Sequence, residues 1–253
     1  MSEIKDALKG KVAFISGGAG AIGSATARRL ATDGVRVVIG DLPQSNLHEV
    51  ARAFQGEGLD VVAQELDIEQ EASIRSAIEA IARNHGRLDI LDNNAALKGL
   101  KDDRGVLGMS TELWDRVMTV NARGTMLMCK YALPVMIAGG GGSIINITSA
   151  GARTASHYGI TKRALELFTI GLAAEQHGNG IAVNALKPVT AIETPGMHYG
   201  RSGAGSPSTG RRFPGPERYV ESAILLALQT PATCTGQIFD DAGATERLAS
   251  PPA

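Results

Sequence analysis

The chain contains no apolar run approaching the roughly 18 residues that a membrane span requires, and it begins MSEIKDALKG, charged where a secretory leader is apolar. Cysteine is scarce: Cys129 and Cys234 are the only two, and they form no C-x-x-C pair. That spacing argues against a disulfide framework or a cysteine-built metal centre and fits a reducing compartment, with both thiols read as packing residues. Aromatic residues make up 4% of the 253 positions, with one Trp. Neither sign of charge prevails, since 25 Lys and Arg against 26 Asp and Glu leave a net charge of −1. A nucleic-acid-binding face needs clustered basic residues, and here they are spread throughout. Five histidines, His48, His85, His157, His177 and His198, are scattered without metal-ligand spacing. The expectation from these absences is a cytoplasmic protein with no metal and no nucleic-acid or membrane partner, acting on a small molecule.

What is present points to an α/β architecture. A chain of 253 residues with 43% apolar content is long enough for one large core, and a single domain over 1–253 is expected. Apolar runs at 12–16, 35–40, 60–66, 88–92, 143–148, 181–187 and 236–239 alternate with helical patterns near 22–33, 45–56, 70–85, 111–137, 155–177 and 216–229. Such alternation implies right-handed crossovers and a parallel sheet covered on both faces. The pattern over 111–137 is expected to break near Asn121, and the glycines at 139–142 read as a helix-to-strand turn. Segment 189–216 is rich in Gly, Ser and Pro, and a connection of that length reads as a lid over substrate.

Two stretches carry chemistry. The first, VAFISGGAGAIG at 12–23, reads strand then glycine turn, and SATARRLATDG continues it as a helix. Gly17 and Gly18 permit a tight turn, and Gly23 permits close packing of helix on strand. Exposed amides at the helix start then face a pyrophosphate. The next apolar run ends in Asp41, 18 residues after Gly23, near where a carboxylate binds the adenosine ribose hydroxyls. A cap on the helix beginning near Ser45 is the other reading of Asp41. No Arg or Lys follows it to hold a 2′-phosphate, so NAD is expected in preference to NADP. The second stretch, SHYGITKRALELF, sets Tyr158 and Lys162 four residues apart, on one face of a helix. A phenol beside a fixed ammonium is a usable proton acceptor, because the cation stabilises the phenolate.

With the glycine turn, Asp41, NNAA at 93–96, Asn121, Ser149, Tyr158-x-x-x-Lys162 and the Pro188 to Thr194 segment in this order, the chain resembles the short-chain dehydrogenase/reductase family over residues 10–243. The resemblance implies a Rossmann-type α/β/α sandwich with a seven-stranded parallel sheet. It also implies homotetramers or homodimers formed through the helices that hold 112–137 and 155–177. It implies that Tyr158 is the general acid/base, that Lys162 lowers its pKa and holds the nicotinamide ribose, and that Ser149 hydrogen-bonds the substrate oxygen. Asn121 would kink its helix and hold a water in the proton path. For the cofactor it implies a pyrophosphate at Gly17, Gly18, Ala21, Ile22 and Gly23, and an adenosine half against Asp41, Leu42, Asp67, Ile68, Asn93 and Ala95. The nicotinamide carboxamide would lie at Pro188, Ile192 and Thr194.

Departures from the family pattern include Ala21, Ala96, Val189 and Ala242 in place of glycines, and a connection between Ser149 and Tyr158 shorter than usual, which leaves Thr148 or Ser156 as alternatives to Ser149. Asp92 stands where an apolar residue is usual and is expected at the mouth of the sheet. His157 is expected at the surface. The function implied is an NAD(H)-dependent interconversion of a secondary alcohol and a ketone, with a hydrophobic or cyclic substrate such as a hydroxysteroid. A 3-oxoacyl thioester, a sugar-like polyol and a non-catalytic NAD(H)-binding sensor are the rival readings.

Overall fold

The structure, a computed structural model, describes residues 2–98, 106–190, 192 and 214–249. All five residues of β1 (Val12–Ser16) are buried, as expected of a central parallel strand with helices on both faces. Period-2 alternation divides them: Ala13 and Ile15 join one apolar cluster, Val12 and Phe14 the other. The same division runs through β2 (Arg36–Asp41), β3 (Val61–Glu65), β4 (Ile90–Asn93), β5 (Gly142–Ile147) and β6 (Ile181–Lys187), while β7 (Ile238–Asp240) gives only Phe239, to the first cluster. They form one parallel sheet in the order β3-β2-β1-β4-β5-β6-β7.

One face is covered by α1 (Ser2–Leu8), α2 (Ala21–Thr32), α3 (Leu47–Gly56), α8 (Glu217–Ala227) and α9 (Asp241–Leu248), which contribute Leu8, Leu30, Leu47, Ile224 and Ala244 to its cluster. The other is covered by α4 (Glu71–His85), α6 (Thr125–Ala138) and α7 (His157–Gln176), through Ile78, Ala132 and Leu172 among others. The strand order reverses between β1 and β4, and at such a switch point the carboxyl ends of the strands leave a crevice. It is here that the glycine turn after β1 lies.

The expected break near Asn121 is instead a widening. Between α5 (Thr111–Val117) and α6 the chain runs through a π-helical turn, Met118–Gly124, with no interruption of the helix. A π turn inserts one residue per turn and re-aims the side chains on it, and the one turned inward is Asn121, fully buried. The 139–142 glycines do make the helix-to-strand turn: Gly141 has φ +110, and a Cβ there would strike the Gly180 carbonyl.

Candidate active site

A cleft of about 550 Å³ opens at the switch point, floored by Gly17, Gly20 and Gly40. Asp41, Asn46, Leu97 and Val120 also line it. Each glycine of the turn answers to a particular approach. Gly17 has φ +68, and a Cβ there would come within 2.9 Å of Ala95 Cα, while one on Gly23 would collide with the Gly17 carbonyl oxygen. Helix α2 starts at Ala21 with Gly20 as its N-cap, and no side chain caps it. Ala21 and Ile22 line the cleft, so the unbonded amides of the first turn, at the positive end of the helix dipole, are open to an anion. The residues therefore fit the pyrophosphate of a dinucleotide. We expect Gly23→Ala to lower stability by about 1–3 kcal/mol, since backbone rather than a side-chain tip must yield, and to weaken dinucleotide affinity. Thermal denaturation and fluorescence titration with NADH check this.

Asp41 does not cap α3. Its Oδ2 accepts the Ala19 amide at 3.1 Å and its Oδ1 the Leu42 amide at 2.8 Å, so the carboxylate ties the end of β2 to the glycine turn at the rim of the cleft. Asp67 also lines the cleft. Its Oδ1 accepts the Glu69 amide at 2.9 Å while its own amide donates to Ser73 Oγ, an Asx-type turn that shapes the wall. Leu42, Ile68 and Ala95 line the same cleft. Gly18 and Gly23 pack behind it: a Cβ on Gly18 would meet Ile39.

The catalytic candidates Ser149, Tyr158 and Lys162 do not line this cleft but lie close to one another. Lys162 is 1% exposed; its Nζ donates to the Ile147 carbonyl at 2.7 Å and lies 5.6 Å from the centre of the Tyr158 ring. Burial pushes the Lys162 pKa down to about 8, because a desolvated ammonium is costly. Burial likewise raises the Tyr158 pKa, and the Ser149 hydroxyl, hydrogen-bonding the phenol, opposes it. For the phenol, desolvation outweighs the Ser149 hydroxyl. Ser149 rather than its alternatives stands by the phenol. Its Oγ also accepts the Gly151 amide at 3.1 Å, which caps a short 3-10 turn, whereas Ser156 caps α7 through the Gly159 amide. Thr148 is buried, its hydroxyl without a partner among the described residues. Asn121 Oδ1 accepts the Leu97 amide at 2.7 Å, and its Nδ2 donates to the Leu97 carbonyl at 3.0 Å and to Thr161 Oγ1 at 3.1 Å. It thereby joins the Leu97 wall of the cleft to the residue next to Lys162.

Several expectations are corrected. The Asn93 side chain does not reach the cleft: alternation along β4 turns it into the helix layer, where Nδ2 donates to Asn146 Oδ1 at 2.9 Å and to Cys129 Sγ at 3.3 Å. Its neighbour Asn94 lines the cleft instead, donating to the Ser16 and Gly17 carbonyls at 3.1 and 3.0 Å. The Asn-Asn pair was the signal, and strand period decides which member faces the glycine turn. Asp92 is not at the mouth of the sheet but inside it, 1% exposed. His157 is not at the surface either: α7 packs against β5, β6 and the π turn, which leaves His157 1% exposed. Of the carboxamide segment, Pro188 is half-buried and Ile192 buried, while Thr194, like most of 189–216, falls outside the described residues. Sequence reasoning did not single out Asn46, Leu66, Arg116 or Glu69, all of which line the cleft, the last two ion-paired at 2.9 Å. Cys129 is a packing residue, its thiol pushed up to about 12 by burial. Among the described residues no cluster of His, Cys, Asp or Glu could hold a metal ion, and no helix is long and apolar enough to cross a membrane.

Comparison with known proteins agrees with this geometry. A family model described as short chain dehydrogenase matches residues 11–202. The chain is 31% identical over 240 residues to the 3-oxoacyl-(acyl-carrier-protein) reductase FabG of Thermotoga maritima, covering 92% of this chain and 96% of that one. It is 31% identical over 238 residues to the D-threitol dehydrogenase of Mycolicibacterium smegmatis, covering 90% of each. The solved structure of L-sorbose reductase from Gluconobacter frateurii, complexed with NADPH and L-sorbose, superposes with a TM-score of 0.81 at 25% identity, over 92% of this chain and 95% of that one. Sheet order, glycine-floored cleft and matched sequence agree, and the chain belongs to the short-chain dehydrogenase family of oxidoreductases.

Proposed function

We propose that this protein interconverts a secondary alcohol and a ketone with NAD(H). The observation that carries the reading is Tyr158, half-buried between the Ser149 hydroxyl and the Lys162 amine, a phenol set where an alcohol proton can be taken up. A bound nicotinamide dinucleotide supplies the hydride acceptor for oxidation, or the donor for reduction. Tyr158 takes the alcohol proton in oxidation and returns it in reduction, and the Ser149 hydroxyl donates to the substrate oxygen as charge develops there. Lys162, held by the Ile147 carbonyl, favours the phenolate when it carries its proton. Asn121 fixes the Leu97 wall and, through Thr161, the turn of α7 that holds Lys162. The cofactor reading rests on Asp41 at the rim of the cleft, with no Arg or Lys directly after it.

A hydrophobic or cyclic alcohol, such as a hydroxysteroid, is the substrate class we favour. The likeness to an acyl-carrier-protein reductase supports a 3-oxoacyl thioester as the second reading. Met126 and Ile137 on α6 and Leu167 and Ile170 on α7 are exposed apolar side chains, which supports assembly into a homodimer or homotetramer through these helices. The test is absorbance at the NADH wavelength with NAD and then NADP, against steroid, alicyclic, acyl-thioester and polyol alcohols and their ketones. We expect turnover with NAD on one of these classes and, in Asp41→Ala, a weaker NAD affinity with relaxed discrimination against NADP. Unchanged discrimination would remove the role given to Asp41. NADH binding without turnover across the whole panel would favour a non-catalytic sensor.

A further inference from the structure

The face that α7 turns to the sheet buries two charged residues one helical turn apart, Lys162 and Glu166. The ammonium goes to β5, where the Ile147 carbonyl accepts it. The carboxylate goes to β6: Glu166 Oε1 accepts from Lys187 Nζ at 3.4 Å, and Oε2 accepts from Arg163 Nη1 at 2.5 Å. The Arg163 side chain is 71% exposed and that of Lys187, the last residue of β6, 31%, so water screens the first partner more than the second. Ile147 and Leu186 are register partners. The two charges on α7 therefore hold the carboxyl ends of neighbouring strands.

The chain just beyond is held a second time. Past Pro188 the Val189 amide donates to Asp241 Oδ1 of α9 at 2.6 Å, and Asp241 Oδ2 accepts Arg218 Nε at 2.7 Å. Pro188, expected at the nicotinamide carboxamide, thus stands between the grips of two buried carboxylates. Stability alone does not explain the one on α7, because a buried ion pair desolvates both ions and an apolar pair of similar volume is often as stable. A hydrogen-bonded charge pair is directional, as apolar contact is not. We propose that Glu166 and Lys187 are positioning residues of the site: their ion pair sets the end of β6, and with it Pro188, against the turn of α7 that carries Lys162. The segment expected to grip the nicotinamide then keeps a fixed place relative to the ammonium beside Tyr158. The inference rests on the dehydrogenase reading of Tyr158 and on the nicotinamide lying at Pro188.

The test sets Lys187→Met, in which the carboxylate stays paired with Arg163, against Arg163→Met, in which it stays paired with Lys187. Lys187→Met should lower kcat by roughly 10–100-fold, the scale on which displaced reacting groups cost rate, while the substrate KM changes by less than about threefold. It should also weaken NADH binding about tenfold and leave ADP-ribose, which lacks the nicotinamide, within about twofold of wild type. Arg163→Met should leave kcat and both affinities within about twofold, as an exposed partner contributes little. Lys187→Arg keeps the cation and should recover most of the loss. Glu166→Gln should match Lys187→Met, and the two combined should lose little more than either alone. If Glu166→Gln does not fold, the Lys187 and Arg163 variants still decide. Equal losses of NADH and ADP-ribose affinity, additive losses in the double variant, no recovery in Lys187→Arg, or an Arg163→Met as damaging as Lys187→Met overturns the positioning role. If the wild type turns over no substrate, the dehydrogenase reading falls instead, and the ratio of NADH to ADP-ribose affinity still decides whether the pair places the nicotinamide segment.

Discussion

Replacing Tyr158 by Phe is expected to lower kcat by roughly 10²–10⁴, the range over which a positioned acid or base acts, while NADH affinity stays within a few-fold of wild type. The substitution removes one oxygen and keeps the ring, so Gly151, which approaches the Tyr158 ring edge, keeps its contact. What is lost is the group that exchanges a proton with substrate. Because that group is half-buried and its pKa is raised by desolvation, we expect the wild-type oxidation rate to climb with pH as the phenolate becomes available. Whatever activity remains in Tyr158→Phe should lack that limb. Steady-state kinetics over pH 6–10, with NADH binding followed by fluorescence, make the comparison. Residual turnover with the same pH limb as wild type would assign the proton to another group, and loss of NADH binding would show that the phenol supports the cofactor rather than the chemistry.

The sheet was legible because parallel strands buried on both faces read as continuous apolar runs. The runs expected at 12–16 and 181–187 coincide with β1 and β6, and the other five begin or end within two residues of the observed strands. The long helices were legible for the complementary reason, an apolar stripe of helical period. What escaped were α1 and α9, SEIKDAL and DAGATERL, too short and polar to show such a stripe. The π turn at Asn121 escaped in kind though not in place, since a change in residue character marks an irregularity without saying whether the helix stops or widens.

Within the site, residues whose backbone makes the feature were easiest to read: glycines at positive φ or at close approaches, and an aspartate at a strand end. Side chains were harder where burial is decided by neighbours distant in sequence. Asp92 reads as lying at the mouth of the sheet because it closes the apolar run 88–92. What places it inside is the register with Ile15 and Ile145 and the arrival of α8 from more than 120 positions away. His157 was misjudged for a similar reason: helix period says which way it points relative to Tyr158, but not that α7 is enclosed on more than one side.

Lys162→Met separates the lysine's chemical role from its structural cost. The methionine keeps most of the apolar stem, removes the amine from its place beside Tyr158, and leaves the Ile147 carbonyl without its donor. We expect kcat/KM to fall by roughly 10²–10⁴ through loss of the cation that favours the phenolate. Stability should respond differently. Below pH 8 the lysine is charged in both states, and the folded protein bears the full desolvation cost. Between pH 8 and 10.5 the unfolded chain holds a proton that the folded chain has lost, so wild-type stability gains with rising pH. The interval corresponds to about 3 kcal/mol at 1.36 kcal/mol per unit. The variant has no such gain, and its orphaned carbonyl costs about 1–3 kcal/mol at every pH. At neutral pH the two effects nearly cancel and the inactive variant should be about as stable as wild type. By pH 10 it should fall behind, a divergence that urea denaturation at stepped pH would follow. Parallel stability profiles would mean that Lys162 keeps its proton throughout, held by the Ile147 carbonyl against its burial, and the phenol would then have a permanent cation beside it.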